Sequence, residues 1–238
     1  MALDVDAIVL AGGLGTRLQG VLPEGHPKVM TLVDGRPFLE ILLERLYEQG
    51  VRSVILSLGY GAQHVQPFVE RHAWPAGLSI RCVTEPKPLG TGGALRLAFA
   101  HAKSDPVLAV NGDTFCDADL SRLLSFRKER QADIAVALVR VPDAGRYGRV
   151  ETTGDGAVTR FSEKGAAGPG LVNCGVYAIS TGVLAALPEG VPLSWERDVL
   201  EKRVGDGLFA LEAAARFLDI GTPESLRQAP SFVKATLQ

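Results

Sequence analysis

The sequence predicts an α/β fold with a three-layer, Rossmann-like mixed sheet that is mainly parallel and carries antiparallel additions. Continuous apolar segments recur up to about residue 140 with helical patterns between them, which is typical of strands covered on both faces. After residue 141, short strand-like segments follow one another across Gly and Asp turns, which favours antiparallel pairing. The chain has 238 residues, of which 46% are hydrophobic and 22% charged, so we expect one domain with a sizeable core.

Strands and helices alternate in the first half of the chain. Strands are predicted at residues 7–11, 54–58, 78–83, 107–110 and 134–139. From Phe38 to Leu46 the apolar residues recur at three- and four-residue spacing, and the pattern stops at Gly50, which predicts a helix with a glycine cap. A further apolar segment lies around residues 65–69, and helices are predicted at 94–102 and at 120–127, the latter opened by Asp117 and Asp119. This order implies right-handed crossovers and a ligand site beyond the carboxyl ends of the strands.

The second half is predicted to add short strands at residues 148–152, 158–163 and 172–179. The stretch at 165–188 has no charged residue, but Pro169, Asn173 and several glycines interrupt it. We interpret it as a loop, a strand and a short helix rather than a membrane-spanning helix. Because no linker separates the halves, residues 1–238 are predicted to form a single domain with halves at 1–140 and 141–238.

Charge and cysteine content exclude several classes of protein. The net charge is -2, from 25 basic and 27 acidic residues, so no overall positive field attracts nucleic acid or an anionic membrane. The first residues have neither a basic nor an apolar signal region, and no signal peptide is expected. The cysteines Cys82, Cys116 and Cys174 are odd in number and widely spaced, which favours a reducing cytoplasm. Cys116 is interpreted as a small apolar filler.

A glycine-rich segment follows the first predicted strand and reads Ala11-Gly12-Gly13-Leu14-Gly15-Thr16-Arg17-Leu18. Glycines there allow backbone N–H groups to approach a polyphosphate, although a tight structural turn needs the same residues. A dinucleotide-binding motif would need Gly or Ala where Leu18 stands, and the Gly-Lys pair of a Walker A loop is absent from the sequence. Arg17 and the following Lys28 favour a triphosphate, because they add two cations beside the backbone donors.

This segment and Pro27-Lys28 resemble the signature of the sugar-1-phosphate nucleotidylyltransferases, which join a nucleoside triphosphate to a sugar 1-phosphate and release pyrophosphate. The resemblance extends nearly to the end of the chain through Pro88-Leu89-Gly90-Thr91-Gly92-Gly93-Ala94, Asn111-Gly112-Asp113-Thr114, Tyr147-Gly148, Glu163-Lys164, Asn173-Cys174-Gly175-Val176-Tyr177 and Asp219-Ile220-Gly221-Thr222. Within the family, the chain is similar to the D-glycero-D-manno-heptose 1-phosphate guanylyltransferases. Mannose 1-phosphate guanylyltransferases and N-acetylmuramate 1-phosphate uridylyltransferases share much of the pattern.

The resemblance implies the nucleotide-diphospho-sugar transferase fold, with a nucleotide-binding half at 1–140 and a sugar-binding half at 141–238. GTP is the favoured nucleotide, because a carboxylate at Glu85 suits the adjacent N–H donors of guanine. We expect a monomer or small homo-oligomer whose partners are the two small substrates. A catalytically inactive, nucleotide-sensing subunit is the alternative from another class, since a fold does not guarantee a reaction.

Asp113 and Asp219 are the candidate metal ligands, because each follows a short apolar stretch and Mg²⁺ is commonly held by one or two carboxylates together with phosphate oxygens. The structural alternative is that each aspartate caps a neighbouring element. Thr222 and Pro223 are assigned to structure, as a helix cap and a first-turn proline.

The remaining site residues are assigned by the resemblance. The catalytic set is Arg17, Lys28, Asp113 and Lys164; the nucleotide-binding set is Leu10, Ala11, Gly12, Gly13, Gly15, Thr16, Glu85, Gly90, Thr91 and Gly112; and the sugar-binding set is Tyr147, Gly148, Glu163, Lys164 and Asn173. Gly92 and Gly93 are expected, like Gly90, to allow the backbone to approach the base and ribose. No histidine stands at a suggestive spacing from a serine nucleophile, which disfavours a covalent mechanism.

Overall fold

The computed structural model describes residues 2–13, 15, 22, 25–162 and 167–236. Its strands are β1 (Asp6–Leu10), β2 (Leu32–Val33), β3 (Arg36–Pro37), β4 (Ser53–Leu58), β5 (Ser79–Thr84), β6 (Val107–Asn111), β7 (Thr114–Cys116), β8 (Ile134–Val141), β9 (Arg149–Thr152), β10 (Val158–Ser162), β11 (Gly170–Ile179), β12 (Leu208–Ala214) and β13 (Phe217–Asp219). Its α-helices are α1 (Phe38–Glu48), α2 (Ala62–Arg71), α3 (Gly90–Phe99), α4 (Leu120–Arg130), α5 (Thr181–Ala185) and α6 (Pro223–Thr236). Short 3₁₀ turns at Lys28–Met30 and Glu201–Arg203 and a π-helical turn at Trp195–Leu200 complete the described elements.

One mixed sheet of nine described strands organises the molecule. Strands β5, β4, β1 and β6 are neighbours in that order and pair in parallel, as the alternation of strands and helices predicts. Beyond β6, strand β11 pairs antiparallel with β6 and β8, and β9 and β10 extend the sheet antiparallel. The predicted mixed sheet with antiparallel additions is therefore confirmed.

Helices cover both faces of this sheet, because side chains of the central strands alternate between two apolar clusters. Ala7 and Val9 of β1 pack in the cluster that holds the leucines of α1, the valines of α2 and the buried leucines of α4. Ile8 faces the other cluster, with Leu95 of α3, Val183 of α5 and the Trp195–Leu200 turn. These clusters form the three layers that the continuous apolar strands predict.

A third apolar cluster supports a two-stranded sheet outside the main one. Strands β7 and β13 pair antiparallel, and Phe115 and Leu218 from these strands pack against Phe38 of α1 and Val233 of α6. Each of the four side chains is at most 7% exposed. Since Asp113 precedes β7 and Asp219 ends β13, this cluster fixes the two candidate metal ligands beside each other.

Most predicted elements are present, with changes at their ends. Helix α3 begins at Gly90, four residues before the predicted start, because the glycine segment is itself helical. Asp119 caps α4 as predicted, since its side chain accepts from the N–H of Arg122. The prediction that Asp117 opens this helix was wrong, because Asp117 Oδ1 accepts the N–H groups of Ala215 and Arg216 instead.

The uncharged stretch forms β11 and α5 within its described part, in agreement with the predicted strand and short helix. Across the described residues, the helices lack the combination of length and apolarity needed to cross a bilayer. Cys116 and Cys174 are buried and have free thiols whose Sγ atoms are 3.0 Å apart. Burial raises the pKa of the Cys174 thiol well above its usual value, in keeping with an apolar role.

Candidate active site

A cavity of about 610 Å³ opens at the carboxyl ends of the central parallel strands. Leu10 at the end of β1, Ser57 near the end of β4 and Asn111 at the end of β6 contribute to its wall. Its other lining residues are Ala11, Gly12, Gly13, Gly15, Lys28, Val29, Glu85, Pro88, Gly90, Thr91, Ala94, Asp113, Tyr177, Trp195, Glu196, Asp219 and Gly221. The location agrees with the general rule for ligand sites in parallel sheets.

The glycine-rich segment forms one wall of the cavity. The N–H of Ala11 donates to the carbonyl of Ser57, and the carbonyl of Gly12 accepts the N–H of Tyr60. A Cβ atom on Gly12 would lie 2.8 Å from the backbone nitrogen of Gly59, so only glycine allows the two backbones to approach this closely. Gly13 and Gly15 line the cavity, whereas the predicted ligands Thr16 and Arg17 lie outside the described residues.

Lys28 joins the two candidate metal ligands. Its Nζ atom lies 2.7 Å from Oδ2 of Asp113 and 3.2 Å from Oδ1 of Asp219, and its side chain is only 10% exposed. Asp113 is 42% exposed and Asp219 19% exposed, so both carboxylates remain accessible from the cavity. The cluster carries one positive and two negative charges, so one negative charge remains uncompensated within it.

Local backbone contacts explain why these three residues meet. Asp219 is paired with Thr114 across β7 and β13, and the N–H of Ile220 donates to the carbonyl of Asp113 at 3.0 Å. The N–H of Gly221 donates to Oδ1 of Asp219 at 2.7 Å. A Cβ atom on Gly221 would lie 2.7 Å from that same oxygen, so glycine leaves the carboxylate in place.

Two carboxylates on one side of a cavity fit a hard divalent cation that takes its remaining ligands from water or substrate phosphate. Both oxygens contact the same Nζ atom, so the two carboxylates meet at one place on the cavity wall. Within the described residues, no group of three or more His, Cys, Asp or Glu side chains forms a closed metal cage. The donor set therefore favours a cation that is shared with substrate over a permanently held structural ion.

Glu85 holds the loop that leads into α3. Its Oε2 atom accepts the N–H of Leu89 at 2.9 Å, and its other oxygen packs against Gly59. Gly90 has a φ of +65°, and a Cβ atom there would lie 2.5 Å from the carbonyl oxygen of Leu193. The first turn of α3 is thus packed tightly against the segment before the Trp195–Leu200 turn.

Gly92 and Gly93 are buried, and they contact that same segment rather than the cavity. A Cβ atom on Gly93 would lie 2.6 Å from the carbonyl oxygen of Val191, and the N–H of Gly92 donates to the carbonyl of Leu193 at 2.8 Å. Their lack of a side chain allows the chain to cross α3 closely. The expectation that these two glycines approach the nucleotide stays a prediction.

Residues 193–196 connect the first turn of α3 to the other side of the cavity. The N–H of Trp195 donates to Oγ1 of Thr91 at 2.8 Å, and the Trp195 ring packs edge-on against Tyr177 at 5.8 Å. Glu196 lines the cavity and accepts from Nδ2 of Asn173 at 3.0 Å. Sequence reasoning missed all three lining residues: Tyr177 stands in an apolar strand, and Trp195 and Glu196 in a mixed segment with no local signal.

Asn173 lies behind this wall and is 8% exposed. Its Nδ2 also donates to the hydroxyl of Tyr177 at 2.7 Å, and its Oδ1 accepts the N–H of Gly175 at 3.0 Å. Burial, followed by the charge of Glu196, raises the pKa of Tyr177 well above its ordinary value, so the phenol stays protonated. Asn173 therefore orients two cavity residues rather than lining the cavity itself.

Three further predicted residues lie outside the cavity wall. Gly112 donates its N–H to the carbonyl of Leu10 at 2.8 Å, and Gly148 accepts the N–H of Asn173 at 3.2 Å. Tyr147 packs edge-on against Phe217 at 5.0 Å, and burial raises the pKa of its hydroxyl. The predicted sugar ligands Glu163 and Lys164 lie outside the described residues.

Comparison with known proteins identifies the family. A family model described as nucleotidyl transferase matches residues 6–236, which is nearly the whole chain. The chain belongs to the nucleotidyl transferase family. Nucleotidyltransferases are enzymes, and members of this family generally depend on a divalent metal.

Two guanylyltransferases are similar in sequence to most of this nucleotidyltransferase. The D-glycero-alpha-D-manno-heptose 1-phosphate guanylyltransferase of Aneurinibacillus thermoaerophilus is 36% identical over 94% of this chain and 96% of its own length. The mannose-1-phosphate guanylyltransferase of Mycobacterium tuberculosis is 38% identical over 92% of this chain but only 62% of its own length. The first of these two therefore matches the extent of the chain as well as its sequence.

Solved structures confirm the predicted fold of the nucleotidyltransferase. HddC from Yersinia pseudotuberculosis superposes with a TM-score of 0.84 at 33% identity, covering 95% of this chain and 98% of that one. HddC complexed with GMP-PN superposes with a TM-score of 0.81. The nucleotide-diphospho-sugar transferase fold predicted from the motifs is thus confirmed.

Proposed function

We propose that this enzyme transfers the guanylyl group of GTP to a sugar 1-phosphate, favouring D-glycero-D-manno-heptose 1-phosphate, and releases pyrophosphate. One observation carries the proposal: Lys28, Asp113 and Asp219 meet beside the glycine-rich segment at the carboxyl ends of the central strands. The related heptose 1-phosphate guanylyltransferase matches this chain over nearly its whole length and supports the choice of sugar.

The first half of the chain, residues 1–140, supplies the nucleotide side. Backbone donors at Gly12, Gly13 and Gly15 suit a polyphosphate, with Thr16 and Arg17 as further ligands. Glu85 lines the cavity, and its carboxylate accepts from the adjacent N–H donors of guanine. The complex of the HddC relative with GMP-PN supports a guanine nucleotide for this chain.

Asp113 and Asp219 would hold Mg²⁺ as the two protein ligands, because their carboxylate oxygens face one point of the cavity. When bound, Mg²⁺ neutralises phosphate charge and aligns the phosphate groups of the two substrates. Leu10, Ala11, Gly90 and Thr91 shape the neighbouring wall, and Gly112 fixes the loop that carries Asp113.

The second half, residues 141–238, supplies the sugar side. Glu196 and Tyr177 line the cavity, and the side-chain amide of Asn173 donates to both of them. We assign these two groups to the sugar hydroxyls, with Glu163 as a further acceptor and Lys164 on the sugar phosphate. Behind this part of the wall, Tyr147 packs against Phe217, and the carbonyl of Gly148 accepts the N–H of Asn173.

The reaction is a direct displacement. An oxygen of the sugar 1-phosphate attacks the α-phosphorus of GTP, the bond from that phosphorus to the oxygen bridging to the β-phosphate breaks, and pyrophosphate leaves with the electron pair. Phosphoryl and nucleotidyl transfer needs positioning and charge neutralisation more than covalent help from the protein. Lys28, Arg17 and Lys164 supply positive charge between two reactants that repel each other.

A pyrophosphate-release matrix tests the proposal. Purified protein is assayed with each of four nucleoside triphosphates against heptose, mannose and N-acetylmuramate 1-phosphates in the presence of Mg²⁺. We expect the highest kcat/KM for GTP with the heptose substrate, and a loss of about 10²-fold or more in Asp113→Ala. Exposed Asp155→Ala is the matched control and should retain wild-type turnover.

Other results of the pyrophosphate-release assay would favour a different substrate or a different role for the protein. Highest activity with mannose 1-phosphate would favour the second guanylyltransferase, which the M. tuberculosis relative supports. Tight GTP binding without turnover on any sugar would support a nucleotide-sensing subunit instead. Wild-type turnover in Asp113→Ala would remove the assigned metal ligand. A cytoplasmic location and a monomer or small homo-oligomer remain parts of this proposal.

A further inference from the structure

Lys28 lies between the two carboxylates that we propose as metal ligands. Its ammonium group contacts one oxygen of Asp113 and one of Asp219, at 2.7 and 3.2 Å. A divalent cation held by both carboxylates would need the gap between them, which the ammonium group fills. Two cations cannot share that gap, because their mutual repulsion at such short range is large.

The fold holds the ammonium there. Lys28 starts a 3₁₀ turn whose next residue, Val29, is 3% exposed, so the backbone at this point is anchored in the core. Gly221 closes the other side, and a Cβ atom there would lie 3.0 Å from Nζ of Lys28. The backbone on both sides of Lys28 therefore leaves space for its ammonium group beside Asp113 and Asp219.

We propose that Lys28 and the divalent cation compete for Asp113 and Asp219, so that the metal enters together with the triphosphate rather than before it; this inference rests on the proposed nucleotidyltransferase function. Without nucleotide, metal binding would force a nearly buried ammonium to leave both of its carboxylates, which is unfavourable. A triphosphate beside the glycine-rich segment offers the ammonium new anionic partners. The metal then takes the vacated carboxylates.

This exchange couples the two ligands through one side chain. Because coupling between binding sites is reciprocal, nucleotide raises metal affinity by the same factor by which metal raises nucleotide affinity. It also keeps the two carboxylates partly neutralised between turnovers. Lys28 is thus a positioning residue for the metal in addition to its role at the phosphates.

The test measures Mn²⁺ binding without nucleotide, from the electron paramagnetic resonance signal of free Mn²⁺. The samples are the wild type, Lys28→Met, which keeps the side-chain length without charge, and Lys128→Met on the exposed end of α4 as the charge-matched control. We expect Lys28→Met to bind Mn²⁺ at least tenfold more tightly than the wild type. Lys128→Met should bind like the wild type.

Two further measurements complete the test. Lys28→Met leaves two carboxylates facing each other, so Mn²⁺ should raise its Tm by more than it raises the wild-type Tm, and Lys28→Gln should behave in the same way. A nonhydrolysable GTP analogue should raise Mn²⁺ affinity strongly in the wild type and little in Lys28→Met. Equal or weaker Mn²⁺ binding by both variants would overturn the inference.

The two proposals fail separately. Pyrophosphate release by the wild type together with unchanged Mn²⁺ affinity in the Lys28 variants would reject only the competition. Tighter Mn²⁺ binding in those variants, combined with no pyrophosphate release by the wild type on any sugar, would reject the assigned reaction and leave the competition standing.

Discussion

Replacing Asn173 by alanine should destabilise the protein more than a polar substitution usually does. The side chain is 8% exposed and makes three hydrogen bonds, to Tyr177, Glu196 and Gly175. Both of its N–H donors and its carbonyl oxygen are used, so alanine removes a complete set of partners. The site wall formed by Tyr177 and Glu196 would lose the group that orients it.

The magnitude follows from the type of each bond. The bond to the Tyr177 hydroxyl contributes about 1 kcal/mol, and the bond to the carboxylate of Glu196 about 1.5–3 kcal/mol. Loss of the acceptor leaves the N–H of Gly175 without its side-chain partner, which costs about 1–3 kcal/mol. Allowing for non-additivity, we expect Asn173→Ala to lower the free energy of unfolding by about 3–5 kcal/mol.

Urea denaturation followed by fluorescence measures this difference, with Thr159→Ala as the control because its hydroxyl bonds an exposed carbonyl. The control should change stability by less than about 0.5 kcal/mol. In Asn173→Asp, the Gly175 bond is kept but a carboxylate faces Glu196. We expect this variant to gain stability as the pH falls, since protonation relieves the repulsion. A loss below about 1 kcal/mol in Asn173→Ala would refute the reasoning.

Three other substitutions test the fold. Gly90→Ala places a Cβ atom 2.5 Å from the carbonyl oxygen of Leu193 at a φ of +65°, and should lower the free energy of unfolding by about 2–4 kcal/mol. Gly77→Ala is the control, because Gly77 has a φ of +83° in open space, and it should lower the free energy of unfolding by about 1–2 kcal/mol. Equal losses of the two variants in urea denaturation would contradict the packing argument. Burial raises the pKa of Asp6, but hydrogen bonds from neighbouring groups outweigh burial and leave this pKa below its ordinary value of 3.8. The ionised Asp6 side chain therefore stabilises the fold above pH 3.8, and this stabilisation is lost as the pH falls further. Acid titration of Asp6→Asn by circular dichroism should therefore show a weaker loss of stability below pH 4 than the wild type, and identical acid transitions would argue against this role. Asp119→Ala removes the N-cap of α4 and should lower the free energy of unfolding by about 1 kcal/mol in the same urea assay, an expectation that an unchanged midpoint would exclude.

Local patterns were sufficient for the parallel strands β1, β4, β5 and β6, whereas β12 of the same sheet was not predicted. The parallel strands β1, β4 and β6 are continuous apolar segments because both of their faces are covered, and that property is visible within a few residues. The same reasoning predicted Asp113 at a strand's carboxyl edge, and the structure brings it to the cavity with Asp219 and Lys28. The Asp119 cap was predicted correctly for a similar reason, since a cap needs only its own first turn.

Contacts between distant positions were not predictable in this way. Asp117 resembles a helix-opening residue, but its partners Ala215 and Arg216 lie almost a hundred positions further along the chain. Glu196 has the local appearance of a residue on a charged surface turn. It enters the cavity because the preceding residue is bonded to Thr91, 104 positions away.

The sequence by itself determined the class of fold, the positions along the chain of the parallel strands β1, β4, β5 and β6, and the residue types at the carboxyl edge of the sheet, since apolar continuity and helix spacing are short-range properties. Only the tertiary structure decided that one ammonium group, from Lys28, lies between two carboxylates that are 85 and 191 positions away from it. It also decided that Glu196 and Tyr177 share one amide of Asn173. The physical reason is that ion pairs and buried hydrogen bonds depend on distances in space. These distances are established only in the folded chain, when β7 pairs with β13 and residues 193–196 pack on α3.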